Sequence, residues 1–328
     1  MAEQAGPAAG TARSAGGARR VVSGLLALAA VAAVVVVSAR WTGLDRFPVV
    51  AQLAAFRPQG TAVLAVLALA VLRWHRRGAA ALAAVALASG VGVVPRALAD
   101  PEPAPGAELR VLLLNVTYDR VEPAALAGLV ESARPDVVAL PEASAAYADE
   151  VLALVGGSYA AATDAPGGPA PRRADATSLL IRDGLAPSFV PGALPLGLGT
   201  VSATLAGATV HAVHPYPPLP GAEGRWRADL AGLRDACAVT TPTVVVGDLN
   251  ATLDASGLRA LLDAGCTDVA DATGRALVGT WPADRPRWLG VGIDRVLVAG
   301  GVRPRSLDVL DVPGGDHRAV LATVVLPS

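Results

Sequence analysis

The sequence predicts an α/β chain in two unlike parts: a two-layer β-sandwich flanked by helices over residues 109–328, preceded by an α-helical membrane anchor. Three observations lead there. Long apolar runs crowd into residues 21–94. A Pro-rich stretch follows them. Beyond it, short Val- and Leu-rich runs alternate with Ala/Leu-rich helical stretches and Gly/Pro turns.

The 328 residues are 53% apolar, above the roughly 45–50% of ordinary soluble domains, and residues 21–94 hold most of the excess. All 27 basic residues are arginine. Residues 1–100 carry 10 Arg and 3 acids, a net +7; residues 101–328 carry 17 Arg and 25 acids, a net −8. An acidic C-terminal half argues against general affinity for nucleic acid, which depends on neutralising phosphates.

Residues 1–20 are polar and Gly/Ala-rich and predict a disordered cytoplasmic tail. Arg19-Arg20 then precede Val21–Ser38, 18 residues without a charge, close to the ~20 needed to cross a bilayer core. The run Thr61–Leu72 becomes long enough when extended back through Phe47–Phe56, although Arg57 interrupts it. Gly78–Val94 is bounded by Arg76-Arg77 and Arg96. These predict three spans, about 21–38, 49–72 and 78–94, within an anchor covering 21–96. Two spans with an interfacial helix are the alternative. An export signal headed by the twin arginines is a further reading, but two more apolar segments follow the first, and an uncleaved anchor fits better.

Arg13, Arg19 and Arg20 in the tail, and Arg73, Arg76 and Arg77 in the second loop, place both on the cytoplasmic side. An odd number of spans then puts the rest of the chain outside, although Arg40, Arg46 and Arg57 dilute the bias. Residues 97–108 form a Pro-rich linker, stiff and extended.

In the C-terminal part the predicted strands are Arg110–Val116, Val137–Pro141, Ser178–Arg182, Val201–Leu205, Thr209–His214, Thr243–Gly247, Arg295–Ala299 and Ala319–Leu326. The predicted helices are Pro123–Ala133, Trp226–Ala238 and Ser256–Ala264. Cys237 and Cys266 lack the spacing of a zinc site. In an exported domain they form one disulfide; otherwise they are two small buried hydrophobes.

Polar groups fall at strand ends. Asn115 ends Val-Leu-Leu-Leu, and Glu142 follows Asp-Val-Val-Ala-Leu-Pro. His211 and His214 flank the turn into Pro215. Asp248 and Asn250 follow Val-Val-Val-Gly, Asp294 opens Arg-Val-Leu-Val, and Asp316-His317 precede Arg-Ala-Val-Leu. Burying one such group alone costs roughly 2–7 kcal/mol, a cost avoided if they converge around a hard cation such as Mg²⁺. Singly, each has a bland explanation, since Asp and Asn are common turn residues. Six in order beside apolar strands are harder to dismiss.

The blocks LNV (114–116), PDVVALPE (135–142), HAVHP (211–215), GDLNAT (247–252), IDRVLV (293–298) and GDHRAV (315–320) resemble the successive signatures of the endonuclease/exonuclease/phosphatase superfamily across residues 109–328. Departures are Pro141 for Gln, Leu249 for Phe, Arg295 for His and Gly315 for Ser. The resemblance implies a metal-dependent phosphoesterase with Mg²⁺ as cofactor (Mn²⁺ as the alternative), held by Asn115, Glu142 and Asp316. It implies that His317, oriented by Asp294, binds the phosphate and assists the attacking water. Asp248 would orient or deprotonate that water, Asn250 would donate to phosphoryl oxygens, and His214 would contact the phosphate or protonate the leaving oxygen. In-line attack on phosphorus needs mainly charge neutralisation and positioning, which such groups provide. For His211, packing is the favoured reading.

Three functions follow. The first is cleavage of a lipid-linked phosphate or pyrophosphate, polyprenyl carriers included, at the outer membrane surface, with the lipid bilayer as partner. The anchored arrangement resembles membrane-bound superfamily members associated with teicoplanin/vancomycin resistance in actinobacteria. The second is an extracellular nuclease using Trp226, Trp281 and Trp288 with Arg225, Arg227, Arg285 and Arg287, a cluster better read as a loop resting on the bilayer or covering the pocket. The third is an inactive binding domain, disfavoured because the expected site residues are all retained.

Overall fold

The structure, a computed structural model, describes residues 9–101, 105–166, 175–205 and 207–327. Its helical part comprises α1 (Ala9–Thr42), α2 (Pro48–Ala55), α3 (Arg57–Val71) and α4 (Arg76–Val91). Of the tail expected to be disordered, residues 1–8 lie outside the described residues. From Ala9 the chain is already helical, because its alanines and arginines favour helix and no proline interrupts them.

Among the described residues, one helix segment, Arg20–Thr42, is long and apolar enough by itself to cross a membrane. The second expected span is two helices meeting at 73°. Pro58 stands in the first turn of α3 and has no N–H to continue the ladder of α2. The third is a 16-residue helix, ~24 Å long and short of a ~30 Å hydrocarbon core. The end of α1, the start of α3 and the residues just after α4 all reach the C-terminal domain through Arg40, Arg57 and Arg96. The loop from Arg73 to Arg77 lies at the opposite end, in a cavity shared with Ser23 and Leu26 of α1. Gly78 lets α4 approach α1 closely there, since a Cβ would stand 2.7 Å from Leu26 Cδ1 and displace that side chain.

Residues 102–104 of the predicted linker lie outside the described residues. The sandwich then begins. One six-stranded sheet contains β1 (Glu108–Leu113), β2 (Val137–Pro141), β3 (Tyr159–Asp164), β4 (Thr177–Arg182), β11 (Arg303–Leu310) and β12 (Ala319–Val325), in the order β11-β12-β1-β2-β4-β3. The other contains β5 (Ser188–Pro191), β6 (Val201–Leu205), β7 (Ala208–Val213), β8 (Thr243–Asp248), β9 (Thr267–Asp268) and β10 (Asp294–Ala299), in the order β5-β6-β7-β8-β10-β9. The pairs β1–β2 and β7–β8 are parallel and the rest antiparallel. Helices α5 (Pro123–Ala133) and α6 (Ala145–Leu154) cover the first sheet; α7 (Glu223–Gly232), α8 (Arg234–Cys237) and α9 (Ser256–Asp263) cover the second.

The central strands read as unbroken apolar runs because both of their faces are buried. Val111 and Leu113 of β1 enter the core between the sheets, while Leu112 and Leu114 pack with Leu126 and Val130 of α5. In β8, Val244 and Val246 face the inter-sheet core and Val245 packs with Leu230 and Leu258 of the outer helices. Cys237 and Cys266 are joined in a disulfide inside this second layer.

Register decides where the polar strand ends go. Leu113 pairs with both Ala139 and Val320, Val213 with Gly247, and Asp248 with Asp294. The ends of β1, β2, β7 and β8 and the starts of β10 and β12 are thereby brought to one end of the sandwich.

Candidate active site

Asn115 follows β1 and is fully buried. Its Nδ2 donates to Glu142 Oε1 (3.0 Å) and Asp248 Oδ2 (3.2 Å), so one amide joins the two sheets. Its Oδ1 accepts the Thr117 N–H at 2.9 Å. Asn115 therefore presents a donor to the acids, while its carbonyl oxygen, which accepts only the Thr117 N–H, keeps a second lone pair. The Asx turn closed by Thr117 fixes which end of the amide faces inward.

Glu142 sits at φ 60° immediately after β2. That left-handed conformation costs a non-glycine residue ~1–2 kcal/mol. The carboxylate it aims accepts from Asn115 and, through Oε2, from the Tyr118 N–H at 3.0 Å. Thr117, Tyr118 and Asp119 all have positive φ, and this left-handed turn brings the Tyr118 amide to Glu142 and the Thr117 hydroxyl to Asp316 (2.6 Å). Burial pushes the Glu142 carboxyl above its ordinary value, and the nearby Asp316 adds to the effect against the Asn115 and His317 contributions.

On the second sheet, Asp248 and Asp294 stand directly opposite one another, both buried. His317 stands between them. Its Nδ1 bonds both Asp294 oxygens at 3.0 and 3.2 Å, and its Nε2 lies 3.7 Å from Asp248 Oδ2. Burial works to neutralise the imidazole, but Asp294 and then Asp248 outweigh it and raise His317 to about 10. Burial, then the facing Asp294, push Asp248 up to about 7. Thr280 Oγ1 accepts from the Ile293 and Asp294 N–H groups at 3.1 and 3.3 Å and fixes the start of β10.

His214 Nε2 lies 3.9 Å from Glu142 Oε1 and from Asp248 Oδ2, at the centre of the group. Asn250, at φ 49°, donates its backbone N–H to Asp248 Oδ1 (2.9 Å) and Nδ2 to Pro215 O (3.1 Å), which leaves one amide hydrogen for a ligand. Asp316 lies at the more open edge, held by Thr117 and by Trp281 Nε1 (3.2 Å). Although partial burial opposes it, bonds from Thr117 and Trp281 and the charge of His317 lower the Asp316 carboxyl. His211 bonds Ser202 Oγ at 2.6 Å across β6–β7, as its packing reading requires.

Four carboxylates and two imidazoles therefore meet in one place, and the only two cysteines are consumed in the disulfide. Oxygen donors in acidic excess fit a hard divalent cation. Asp248, Asp294 and His317 place ligand atoms within 4.8 Å of one another, but Asp294 commits both oxygens to His317. Glu142 and Asp316 add two further carboxylates to the group, with Asp248 joined to Glu142 through Asn115.

Thr117, Tyr118 and Thr280 carry no strand-end signature, and sequence reasoning missed them; Trp281 was read only within the aromatic–arginine cluster, without its bond to Asp316. Gly315 gave an indirect sign. A Cβ there would lie 3.1 Å from Thr117 Oγ1 and 2.9 Å from Val121 Cγ2. A serine there would require the Val121 and Thr117 side chains to shift, and the Thr117 hydroxyl is the group that binds Asp316. Arg295, another departure, is buried and donates to Asp268 and to Gly292 O. The aromatic–arginine cluster considered for nucleic acid is not a single surface. Trp226 is buried in the outer layer, Arg287 pairs with Asp311, and Trp288 is exposed with its carbonyl accepting from Gln59 of α3.

No curated protein matches the chain. Among solved structures, it shares its fold with an endonuclease/exonuclease/phosphatase from Beutenbergia cavernae DSM 12333, at 17% identity and TM-score 0.52 over 67% of this chain and 72% of that one. D. rerio TDP2 complexed with single strand DNA product matches at 16% and 0.51, over 67% and 100%. The human Nocturnin catalytic domain with bound sulfate anion matches at 16% and 0.52, over 71% and 99%. Such identities establish the fold alone. Residues 112–317, more than half of the chain, match the model of the Endonuclease/Exonuclease/phosphatase family, and the chain belongs to that family.

Proposed function

We propose that this chain is a membrane-anchored, divalent-metal-dependent phosphoesterase acting on a lipid-linked phosphate ester or pyrophosphate, of polyprenyl-carrier type, at the outer face of the cytoplasmic membrane. Its family is typically one of metal-dependent phosphoesterases and nucleases. One observation carries the choice of substrate. The loops after β7 and β8 and the loop before β10, which bear or adjoin His214, Asp248, Asn250 and Asp294, all bond to the apolar helical part. Pro218 O accepts from Gln52, Asp254 pairs with Arg57 and Arg96, and Gly290 O accepts from Gln59. An anchor placed there sets the site against the lipid surface, within reach of a headgroup.

The orientation is supported by the loop Arg73–Arg77, which lies at the helix ends remote from the domain. The disulfide suits an oxidising compartment. Exposed Trp288, Leu289 and Leu219 sit on the same loops, as expected of side chains at a bilayer interface. Glycopeptide resistance, through hydrolysis of a cell-wall carrier, is the physiological extension of this proposal.

Glu142 and Asp316 would hold the cation, which supplies charge neutralisation at the phosphoryl group. Asp248 accepts a hydrogen bond from the attacking water and takes its proton. The His317 imidazolium, held in place by Asp294, donates Nε2–H to a phosphoryl oxygen. His214 Nε2 donates to the phosphate or the leaving oxygen, and the remaining hydrogen of Asn250 Nδ2 donates to a phosphoryl oxygen.

The test incubates the full chain and Mg²⁺ with a polyprenyl pyrophosphate, a phospholipid or plasmid DNA, alongside Asp248→Ala and His317→Ala. Phosphate release from the polyprenyl lipid that both substitutions abolish is the expected result. Nicking of DNA without lipid hydrolysis reverses the substrate assignment, and activity that survives both substitutions removes the site.

A further inference from the structure

The helical part and the sandwich meet on one carboxylate, Asp254, which is 2% exposed. Arg96, just beyond α4, grips it with two bonds: Nη1 to Oδ2 at 2.7 Å and Nη2 to Oδ1 at 2.8 Å. Arg57, at the start of α3, adds Nη1 to Oδ1 at 2.7 Å. Arg40, near the end of α1, brings a third guanidinium to 3.8 Å. Arg57 is itself fixed by Ser89 of α4, through Nε to Oγ and Nη2 to the carbonyl, both at 3.0 Å. Three helices thus converge on a single acidic side chain of the domain.

A reciprocal bond lies two residues further on. Asp45, between α1 and α2 and 1% exposed, accepts from the Ser256 N–H (2.6 Å) and hydroxyl (2.9 Å) at the first turn of α9. The segment between β8 and α9 is therefore gripped at positions 254 and 256 by the helical part. At its other end Asp248 and Asn250 face the phosphoesterase site, with buried Ala251, Thr252 and Leu253 between. A buried carboxylate held by two fixed guanidiniums is satisfied in one geometry only. A change in how α1, α3 and α4 pack must move Asp254, or leave it buried and unpaired.

We propose that Asp254 is a positioning residue through which the helical anchor sets the loop carrying Asp248 and Asn250, so that catalysis depends on an assembled anchor. The inference rests on the reading of Asp248 and Asn250 as site residues, and its test contains an arm independent of activity. The full chain is reconstituted in phospholipid nanodiscs as wild type, Asp254→Asn, Asp254→Glu, Arg57→Gln and, at the remote end of the helices, Arg73→Gln. Hydrogen exchange at residues 249–255 is expected to quicken about tenfold or more in Asp254→Asn and Arg57→Gln, with exchange in 109–113 and 243–247 unchanged. With the soluble diester bis(p-nitrophenyl) phosphate, kcat is expected to fall ten- to hundredfold at a KM within twofold of wild type. Asp254→Glu should recover part of the loss, and Arg73→Gln should match wild type.

Unchanged exchange at 249–255 in both Asp254→Asn and Arg57→Gln overturns the proposal, as does an equal effect of Arg73→Gln. Should Asp254→Asn fail to fold, Arg57→Gln, which retains the paired Arg96 bonds, decides. A wild-type chain that hydrolyses no phosphoester overturns the functional reading instead, and the exchange arm still judges the role of Asp254.

Discussion

Replacing Asp294 by Asn removes one charge and little else. The side chain keeps its shape and can still accept from His317 Nδ1, now 3.0 and 3.2 Å from two carboxylate oxygens. What is lost is the largest influence holding His317 at about 10, above its ordinary 6.5, against the effect of burial. At ~1.4 kcal/mol per pKa unit the whole shift corresponds to at most about 5 kcal/mol, and Asp248 shares in it. A loss of ~2–3 kcal/mol in Asp294→Asn is therefore expected, the size of a charge-assisted hydrogen bond. Below pH 6.5 the imidazole is protonated in both the folded and unfolded chain, so the stabilisation is complete there. It declines as pH rises from 6.5 towards 10, where the unfolded chain has already released its proton. The assays are NMR titration of the His317 ring in metal-free protein and thermal melts from pH 6 to 10.5. The variant should show a lower His317 midpoint and a melting temperature ~5–10 °C below wild type at pH 6, with the gap closing as pH rises. kcat should fall about a hundredfold or more. An unmoved midpoint, or a gap that stays constant or widens up to pH 10.5, refutes the assignment of Asp294 as the partner that charges His317.

Glu142→Gln removes a carboxylate from the proposed cation site and keeps an acceptor oxygen for only one of its two donors, Asn115 Nδ2 and the Tyr118 N–H. Mn²⁺ affinity read by electron paramagnetic resonance should fall at least ten- to hundredfold. Trp281→Phe keeps the ring but loses the Nε1 bond to Asp316; a roughly tenfold loss of kcat/KM is expected, and an unchanged value would reduce Trp281 to packing. Replacing both Cys237 and Cys266 by Ala opens a loop closed over a separation of 29 residues. The cost should be about 3–4 kcal/mol in denaturant unfolding.

The parts of the fold visible in the sequence are those with physical redundancy. Val137–Pro141 is buried on both faces, and both its composition and its flanking turn residues mark it as a strand. Strand β11, Arg-Pro-Arg-Ser-Leu-Asp-Val-Leu, was not predicted. It is an edge strand whose exposed polar residues and bulge at Pro304 hide its alternation. In β3, Tyr-Ala-Ala-Ala-Thr-Asp, the alanines carry no strand preference, and pairing to β4 imposes the conformation. The site divides in the same way. Carboxylates and imidazoles at strand ends are conspicuous because burying them demands a reason. Thr117, Thr280 and Trp281 act through loops whose meeting depends on the whole path of the chain. Asp254 stood in plain view six residues after Asp248, but its partners lie 158 and 197 positions away.

Charge joins the helical part to the domain at Asp254, beside the apolar contact that Ala51 makes with the second layer, for a physical reason. The helices present Leu69, Leu87 and Val91 outward, side chains for which lipid is as good a partner as protein. An apolar junction would slip, whereas the paired Arg96–Asp254 bonds admit one register. Burial alone would raise the Asp254 carboxyl, but Arg96 and Arg57 outweigh it and lower it below its ordinary 3.8. For a carboxylate shifted this way, the stabilisation is present in full above 3.8 and is lost only as pH falls below that, through the folded-state value. Exchange protection of residues 252–255 in the full chain, beyond the Asn250 N–H that Asp248 holds, should therefore be flat from pH 8 down to 5. A marked loss of protection between pH 7 and 5 would mean that a group of higher pKa, and not the Asp254 ion cluster, holds the loop against the anchor.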